Sequence, residues 1–404
     1  MIKSVTIENF RSIERAELEL APLVVLYGPT ASGKSSLLYA LLVLKNFIVN
    51  PNRPADGYLH IGFMDLGGFD QCVFNHEGSR RVSVGVWSEG EAGQPESYKL
   101  SFSKDKGVIR QEWNDKWGDL VLECEIPIPY GLNQTFSFSY GELEEECSVN
   151  WNGISCSVTP MSPIAAMQQR AREIAESINA IPEKIKGIDV APHRRGFFKP
   201  NYTSVSVSPI PTTEDEVASL IINDPNLPLR ISVYAEGIFE RDFRLYVPPG
   251  TATVFFQTMD KKSRTPGLLV NDGFGVNQVI YLLAKLLRSD VRTLLVEEPE
   301  VHLHPTAVRN FARQLCAIVR EEKKQLILTT HSELFVSSLL AIVAEGELSP
   351  EEIRCYLCVK EGRSTVFKAQ KVQKNGQIEG GLTTFIEAEL EDLQKLLGIG
   401  GQEQ

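Results

Sequence analysis

The sequence has little of what marks a membrane-bound, secreted or nucleic-acid-coating protein. Its 404 residues contain 41 Lys and Arg against 52 Asp and Glu, and the net charge of −11 argues against a strongly basic coat protein for nucleic acid. The apolar runs within 23–49 are broken by Gly28, Lys34 and Lys45, whereas a membrane span needs about 20 mostly apolar residues. The residues after Met1 lack the charged and then apolar layout of a signal peptide. We therefore expect a cytoplasmic chain with no membrane contact.

The seven cysteines are odd in number and scattered, which excludes the usual disulfide framework of a small secreted domain. We expect most of them to be buried thiols. Cys147 and Cys156 flank an Asn152-Gly153 turn and are candidates to face each other across a hairpin. A disulfide between them stays open, because cytosolic disulfides occur in hyperthermophiles.

Hydrophobic patterning predicts an α/β fold with a mixed sheet flanked by helices. Apolar runs at Leu23–Tyr27, Thr293–Val296 and Leu326–Thr330 predict strands buried on both faces. Short alternating runs over 80–158 predict an antiparallel β insertion, and a hairpin is predicted at Cys355–Phe367. The predicted helices are Ile164–Ile185, Gly275–Leu287, Ala307–Arg320, Glu333–Ala344 and Leu382–Leu397.

The pattern Gly28-x-x-x-x-Gly33-Lys34-Ser35 lies between a predicted strand and a predicted helix. This is the phosphate-binding P-loop, in which backbone N–H groups surround the phosphates at the N-terminus of the following helix. Lys34 supplies a positive charge to the phosphates, and the Ser35 hydroxyl coordinates Mg²⁺. The sequence therefore predicts ATP and Mg²⁺ as cofactors. The candidate binding residues of this loop are Gly28, Thr30, Ser32, Gly33, Lys34, Ser35 and Ser36.

Two further apolar strands end in polar residues. The strand from Thr293 ends at Glu297 and Glu298, which a parallel sheet delivers to the edge beside the phosphate loop. We expect Glu297 to hold Mg²⁺ and Glu298 to polarise the attacking water. His331 follows the strand from Leu326, 33 residues after Glu298. This spacing leaves room for one helix and one strand, so we expect His331 to reach the γ-phosphate.

At this point the sequence resembles a known family, the ABC-type ATPases of the SMC, RecF and OLD-like class. The resemblance rests on three motifs beside the P-loop. They are the opening Ile7-Glu-Asn-Phe-Arg11-Ser12, the run from Glu297 to Pro305 with its Glu-Pro-Glu-Val-His-Leu-His-Pro, and Asp272–Gln278, which resembles a degenerate signature motif. The resemblance covers roughly 1–78 and 268–370. It implies a minimal form without a long coiled coil or a Toprim nuclease domain.

This resemblance implies a domain division and an ATP-sandwiched homodimer. The nucleotide-binding lobe would be formed by 1–78 and 290–404, the antiparallel β insertion by 79–160, and the helical and signature-motif lobe by 161–289. In the dimer, Gly273 and Gly275 would let the backbone approach the γ-phosphate bound by the other subunit, and Asn277 would lie at the N-terminus of that helix. Arg11 would contact phosphate within its own subunit. The glutamine of the Q-loop is not placed, and Gln71, Gln168 and Gln169 are its candidates.

These features lead to one main functional hypothesis and one alternative. The main hypothesis is an ATP hydrolase whose dimer state follows the nucleotide and which acts on DNA or a protein effector, in repair, defence or chromosome maintenance. The alternative is a nucleotide-gated scaffold with slow ATPase activity that binds a defence effector or a cytoskeletal filament and no DNA. A nuclease is disfavoured because no acidic nuclease cluster is visible. The basic clusters that could contact DNA are Arg80-Arg81, Arg194-Arg195-Lys199 and Lys261-Lys262-Arg264.

Overall fold

The fold combines parallel and antiparallel sheets around a single helix that follows the phosphate loop. The computed structural model describes residues 1–382 except 52, 91–94, 116–117, 127–131, 141–142 and 380. The strands are β1 (Ile2–Phe10), β2 (Ile13–Glu19), β3 (Leu23–Tyr27), β4 (Val82–Glu89), β5 (Pro95–Phe102), β6 (Gly107–Asp115), β7 (Gly118–Ile126), β8 (Leu132–Tyr140), β9 (Leu143–Trp151), β10 (Cys156–Pro160), β11 (Ile188–Ala191), β12 (Arg241–Tyr246), β13 (Phe255–Asp260), β14 (Pro266–Leu268), β15 (Thr293–Glu297), β16 (Gln325–Thr330), β17 (Ile353–Glu361) and β18 (Ser364–Gln370).

The helices lie between these strands. They are α1 (Lys34–Val49), α2 (Ala55–Tyr58), α3 (Phe69–Cys72), α4 (Ala165–Lys186), α5 (Glu214–Asn223), α6 (Leu227–Phe239), α7 (Phe274–Leu286), α8 (Pro305–Glu321) and α9 (Glu333–Ala344), with short 3-10 turns at Phe74–His76 and Leu269–Asn271. Four of them, α4, α7, α8 and α9, match predicted segments within a few residues, whereas α5 and α6 were not predicted. The predicted helix Leu382–Leu397 lies outside the described residues except for its first residue. No helix in the described part of the chain is both long and apolar enough to cross a bilayer.

The central sheet brings the three motif-bearing strands side by side. Its order is β11-β15-β16-β3-β17-β18, and all strands but β18 run parallel. Because parallel strands end at the same edge, the loops after β15, β16 and β3 meet there. Glu297 is in register with Thr329, and Thr330 is in register with Tyr27. The predicted α/β fold with a mixed sheet flanked by helices is confirmed.

Alternation along β3 divides the interior into two cores. Val24 and Leu26 pack on one side of the sheet with α1 and the strands of the antiparallel sheet. Leu23, Val25 and Tyr27 pack on the other side with α7, α8 and α9. Successive side chains of a strand point to opposite faces, so a strand covered on both sides is apolar throughout. This explains the uninterrupted apolar runs in the sequence.

The antiparallel strands predicted over 79–160 extend the sheet that begins at the N-terminus. The order β2-β1-β4-β5-β6-β7 forms one six-stranded sheet, and β10-β9-β8 form a separate three-stranded sheet. Helix α1 lies between the six-stranded sheet and the central sheet, and almost all of its side chains are buried. The six-stranded sheet therefore crosses the boundary predicted at residue 78, and the domain division stays a prediction.

The hairpin at Asn152-Gly153 does not place its two cysteines opposite each other. Cys156 is paired with Trp151, and Cys147 is paired with Pro160. The register separates the cysteines along the strands, and no disulfide joins them. The Cys147–Cys156 disulfide that the sequence left open is therefore not formed.

Candidate active site

Both glycines of the phosphate loop occupy positions that a larger residue cannot take. Gly28 has φ 141°, and a Cβ there would collide with the carbonyl oxygen of Cys358 on the neighbouring strand β17. Gly33 has φ 93°, and a Cβ there would collide with the hydroxyls of Thr365 and Ser12. Positive φ and close approach both require glycine. The loop is thus packed against the C-terminal hairpin β17–β18, a contact that the local pattern does not reveal.

Lys34 is the first residue of α1, and its side chain turns back over the loop. Its Nζ donates hydrogen bonds to the carbonyl oxygens of Gly28 and Pro29, both at 2.9 Å. Burial lowers the pKa of Lys34, and the charge of Glu298 acts in the opposite direction. The ammonium is therefore held at the loop by carbonyl acceptors in the absence of phosphate.

Glu297 and Ser35 are connected through a residue that sequence reasoning missed. The Tyr39 hydroxyl donates to Glu297 Oε1 at 2.9 Å and interacts with the Ser35 hydroxyl. Burial and then the charge of Glu297 raise the pKa of Tyr39. Tyr39 follows Ser35 by four residues, so both lie on the same helical face. The guanidinium of Arg11 lies 4.9 Å from the Tyr39 ring centroid, a cation–π contact.

Glu298 and His331 form a hydrogen-bonded pair. The Glu298 Oε2 accepts from His331 Nδ1 at 2.8 Å and from the His331 backbone N–H at 3.2 Å. The backbone of Glu298 has φ 45°, a left-handed conformation that costs roughly 1–3 kcal/mol for a residue with a side chain. Its N–H donates to Thr329 on β16 at 2.9 Å, which holds this turn. The strained turn directs the Glu298 carboxylate towards the histidine.

Arg195 holds the backbone behind the two glutamates and does not lie on the surface. It is 3% exposed, and it donates to the carbonyl oxygens of Glu297 at 2.6 Å and Glu298 at 2.7 Å. Burial lowers the pKa of Arg195 to about 10, against the charges of the nearby glutamates. The assignment of Arg195 to a DNA-contacting basic cluster is therefore wrong.

One cavity of about 880 Å³ connects these groups. It contains nine of the predicted site residues, namely Arg11, Thr30, Gly33, Lys34, Ser35, Ser36, Glu297, Glu298 and His331. Gly28 and Ser32 do not line it. Gly28 contributes a carbonyl to Lys34, and the Ser32 carbonyl accepts from Thr365 at 2.9 Å. The cavity wall also contains Ser12 of the opening motif and the Q-loop candidate Gln71, together with residues that the motifs did not indicate, namely Asn75, His76, His193 and Arg363.

Among the three candidate Q-loop glutamines, Gln71 is the one beside the cavity. It lies in α3, and the same segment contributes Asn75 and His76 to the cavity wall. Gln168 and Gln169 lie on α4 and do not line the cavity. The position of Gln71 emerges from the packing of this segment and not from a spacing that the sequence displays.

The signature residues lie apart from the cavity, and one of them has an internal structural role. The side chain of Asn277 is 4% exposed and makes two hydrogen bonds of 2.6 Å with the backbone N–H and C=O of Phe197. Asn277 lies in the first turn of α7, as the resemblance implies, but its amide is buried and engaged by Phe197 and is not available to a nucleotide. A Cβ on Gly275 would lie 2.6 Å from the carbonyl oxygen of His302, so this glycine permits close packing. Gly273 has open space around it.

Comparison with known proteins agrees with this geometry. Residues 1–81 match the family described as "AAA ATPase domain", and residues 167–337 match "AAA domain, putative AbiEii toxin, Type IV TA system". An OLD nuclease of Thermus scotoductus is 23% identical over 352 residues, which are 83% of this chain and 60% of that protein. The chain thus spans about 60% of the length of this relative. Two segments of the chain thus match AAA ATPase family models, and the chain is similar to an OLD nuclease over most of its own length.

Solved structures of SMC heads are also similar over most of the chain. The SMC head domain from Thermotoga maritima has a TM-score of 0.43 at 10% identity, covering 91% of this chain and 98% of that one. An SMC head bound to the C-terminal winged-helix domain of ScpA has a TM-score of 0.48 at 11% identity, covering 92% and 99%.

Proposed function

We propose that the chain binds Mg-ATP in the cavity beside the phosphate loop and hydrolyses it, and that two copies close on the nucleotide. The observation that carries the proposal is the meeting of Lys34, Ser35, Glu297, Glu298 and His331 in one cavity. These residues come from three neighbouring strands of the parallel sheet. A charge for the phosphates, oxygen ligands for a cation and a base for water are what phosphoryl transfer to water requires.

The residues fit a bound Mg-nucleotide. Within the described part of the chain, Arg11 lines the cavity and its Nη1 is buried without a hydrogen-bond partner, and a phosphate oxygen would satisfy this group. Ser35 and Glu297 line the same cavity, and the Glu297 carboxylate accepts a hydrogen bond from the Tyr39 hydroxyl, so two hard oxygen donors face this space. In this proposal Ser35 and Glu297 hold Mg²⁺, which neutralises charge on the phosphates.

In the same proposal, Glu298 and His331 act on the attacking water. Glu298 accepts its proton, and His331 fixes the carboxylate through the 2.8 Å contact. Lys34 exchanges its two carbonyl acceptors for phosphate oxygens. Gly273 and the neighbouring Phe274, which is 62% exposed, present the loop that would meet the nucleotide bound by a second copy.

Between DNA and a protein as the partner, charge pairing favours a protein. Arg80 is paired with Glu77 at 2.6 Å and with Glu14 at 2.9 Å. Lys199 is paired with Asp215, and Lys261 and Lys262 are paired with Glu236 and Glu240. Arg195 is buried. At least one cation of each basic cluster is thus paired with an acidic neighbour, which weakens the attraction of the cluster for phosphates.

Exposed apolar side chains on α6 also favour a protein partner. Leu229 and Val233 are 69% and 66% exposed and lie one turn apart. Apolar side chains grouped in this way are typical of protein contact surfaces. We therefore propose a nucleotide-dependent switch that acts on a protein effector. DNA binding that requires Mg-ATP at about 50 mM salt would restore DNA as the partner.

The test of the proposal is ATP binding and hydrolysis by the wild type and by Lys34→Ala. We expect Lys34→Ala to lose hydrolysis because the phosphates lose their positive charge. Lys374→Ala is the control, because it removes an exposed lysine away from the cavity. Thermal unfolding shows that each variant is folded. Hydrolysis by Lys34→Ala at the wild-type rate would contradict the site assignment.

A further inference from the structure

A second buried glutamate lies beside the proposed base and has no role in the account above. Glu300 follows Glu298 by two residues and is 8% exposed. Its Oε1 accepts a hydrogen bond from the Thr330 hydroxyl. Its Oε2 is buried and has no partner among the described residues. Ligand atoms of Glu298, Glu300 and His331 all lie within 4.8 Å of one another.

Two carboxylates at this distance repel each other unless a proton or a cation lies between them. Burial raises the pKa of Glu300 to about 8, and the charge of Glu298 acts in the same direction, against the hydrogen bond from Thr330. The other charged or titratable groups that face the pair are Lys34 and Arg195, which act electrostatically on it, and His331. Burial and the neighbouring Glu298 thus both favour the neutral form of Glu300.

A proton fits this arrangement better than a cation. Glu298 Oε2 already accepts two hydrogen bonds from His331, so that oxygen is engaged. A hydrogen atom on Glu300 Oε2 supplies the donor that this buried oxygen otherwise lacks, and the nearby acceptor is the Glu298 carboxylate.

We propose that Glu300 is a positioning residue that keeps its proton and donates it in a hydrogen bond to the Glu298 carboxylate. The proposal rests on the proposed function, in which Glu298 is the base. The proton stays on Glu300, and the proton taken from water goes to Glu298. This hydrogen bond stabilises the charged form of Glu298 and fixes its orientation together with His331. Above the pKa of Glu300 the pair carries two negative charges, and this arrangement is lost.

The test compares the pH dependence of ATP hydrolysis in the wild type, Glu300→Gln and Glu300→Ala. Glutamine keeps an N–H donor for Glu298 and an oxygen acceptor for Thr330, whereas alanine keeps neither. We expect kcat of the wild type to fall as the pH rises through about 8. Glu300→Gln should keep most of the activity at pH 7 without this fall. Glu300→Ala should lose roughly 10-fold to 100-fold at every pH through misplacement of the base.

A second readout needs no hydrolysis and tests the proton itself. Because the pKa of Glu300 in the folded chain exceeds its ordinary value of 4.5, its contribution to stability is lost as the pH rises from that value through about 8. The urea midpoint of the wild type should therefore fall relative to that of Glu300→Gln between pH 5 and 8. All other titrating groups are the same in the two proteins, so the difference between their urea midpoints reports on Glu300 alone.

The outcomes separate this proposal from the proposed function. Absence of hydrolysis by the wild type would refute the proposed function, and the urea midpoints would still decide on Glu300. An alkaline fall of kcat in Glu300→Gln equal to that of the wild type would refute the proposal. The proposal would also be refuted if the urea midpoints of the wild type and Glu300→Gln differed by the same amount at every pH between 5 and 8. If Mg²⁺ raises the urea midpoint of the wild type but not that of Glu300→Ala, a cation and not a proton lies between the two carboxylates, and the proposal is refuted.

Discussion

At the scale of single residues, the site depends on side chains that are distant in sequence from its motifs. Thr365, on the C-terminal hairpin, contacts the Ser12 hydroxyl at 2.8 Å and the Ser32 carbonyl at 2.9 Å. Both contacts lie behind Gly33. The phosphate loop is therefore shaped by residues from the two ends of the described chain, and its motif specifies the chemistry of the loop but not its support.

Tyr39 provides a test of the proposed Mg²⁺ ligands. Tyr39→Phe removes the hydroxyl between Ser35 and Glu297 while keeping the ring under Arg11. We expect hydrolysis to need roughly 10-fold to 100-fold more Mg²⁺, because residues that orient ligands affect metal affinity to this extent. The measurement is the hydrolysis rate over a Mg²⁺ titration.

The matched control for this variant is Tyr356→Phe. The Tyr356 hydroxyl is also part-buried and donates to the Glu19 carbonyl at 2.8 Å, away from the cavity. Both variants lose one hydrogen bond, worth about 1 kcal/mol of stability. Only Tyr39→Phe should change the Mg²⁺ requirement. An equal Mg²⁺ requirement in Tyr39→Phe and the wild type would contradict the ligand assignment.

At the scale of secondary-structure elements, buried charged side chains lie between α1, which follows the phosphate loop, and α7, the helix that contains Gly275 and Asn277. Asp189 on β11 is 1% exposed and pairs with Lys285 of α7 at 2.9 Å and with Arg288 at 2.8 Å. Lys45 of α1 donates to the Ile188 carbonyl beside it. Burial lowers the pKa of Lys285 to about 8, against the charge of Asp189. Asp189 thus balances the cations that meet between the two helices.

Loss of this carboxylate should destabilise the whole fold. Asp189→Asn leaves Lys285 buried without its counter-charge, which costs about 3–5 kcal/mol. Asp290→Asn is the control, because Asp290 pairs with the same Arg288 while its side chain is 66% exposed. The urea midpoint should fall strongly in the first variant and little in the second. Equal midpoints would show that the buried network contributes nothing to stability.

The strands β3, β15 and β16, and the sheet edge at which they end, could be predicted from the sequence. Contacts between segments distant in sequence could not. The runs ending at Tyr27, Glu297 and Thr330 are apolar throughout because both faces are covered, and this signal is local. Tyr39, Arg195 and Thr365 carry no local pattern that points to the site. The engagement of the Asn277 amide and the separation of Cys147 from Cys156 could not be predicted, because packing against Phe197 and the hairpin register decide them.

At the scale of the whole molecule, α1 follows the phosphate loop and packs against both sheets. A movement of α1 at the nucleotide would therefore be transmitted to both sheets. Helix α1 begins at Lys34 and lies between the central and the six-stranded sheet. The exposed Phe274 lies at the start of α7, and its ring is 5.8 Å from that of His302. This surface is the one that our proposal assigns to contact with a second copy. Closure of the dimer would couple the nucleotide to an effector.

The most direct test of the account is the mass in solution of Glu298→Gln with Mg-ATP. Glutamine keeps the shape of Glu298 but is no base, so bound ATP should persist and hold two chains together. We expect light scattering at micromolar concentration to give twice the monomer mass with Mg-ATP and the monomer mass without it. The double variant Lys34→Ala/Glu298→Gln should stay monomeric. A monomeric Glu298→Gln protein with ATP bound would contradict the account.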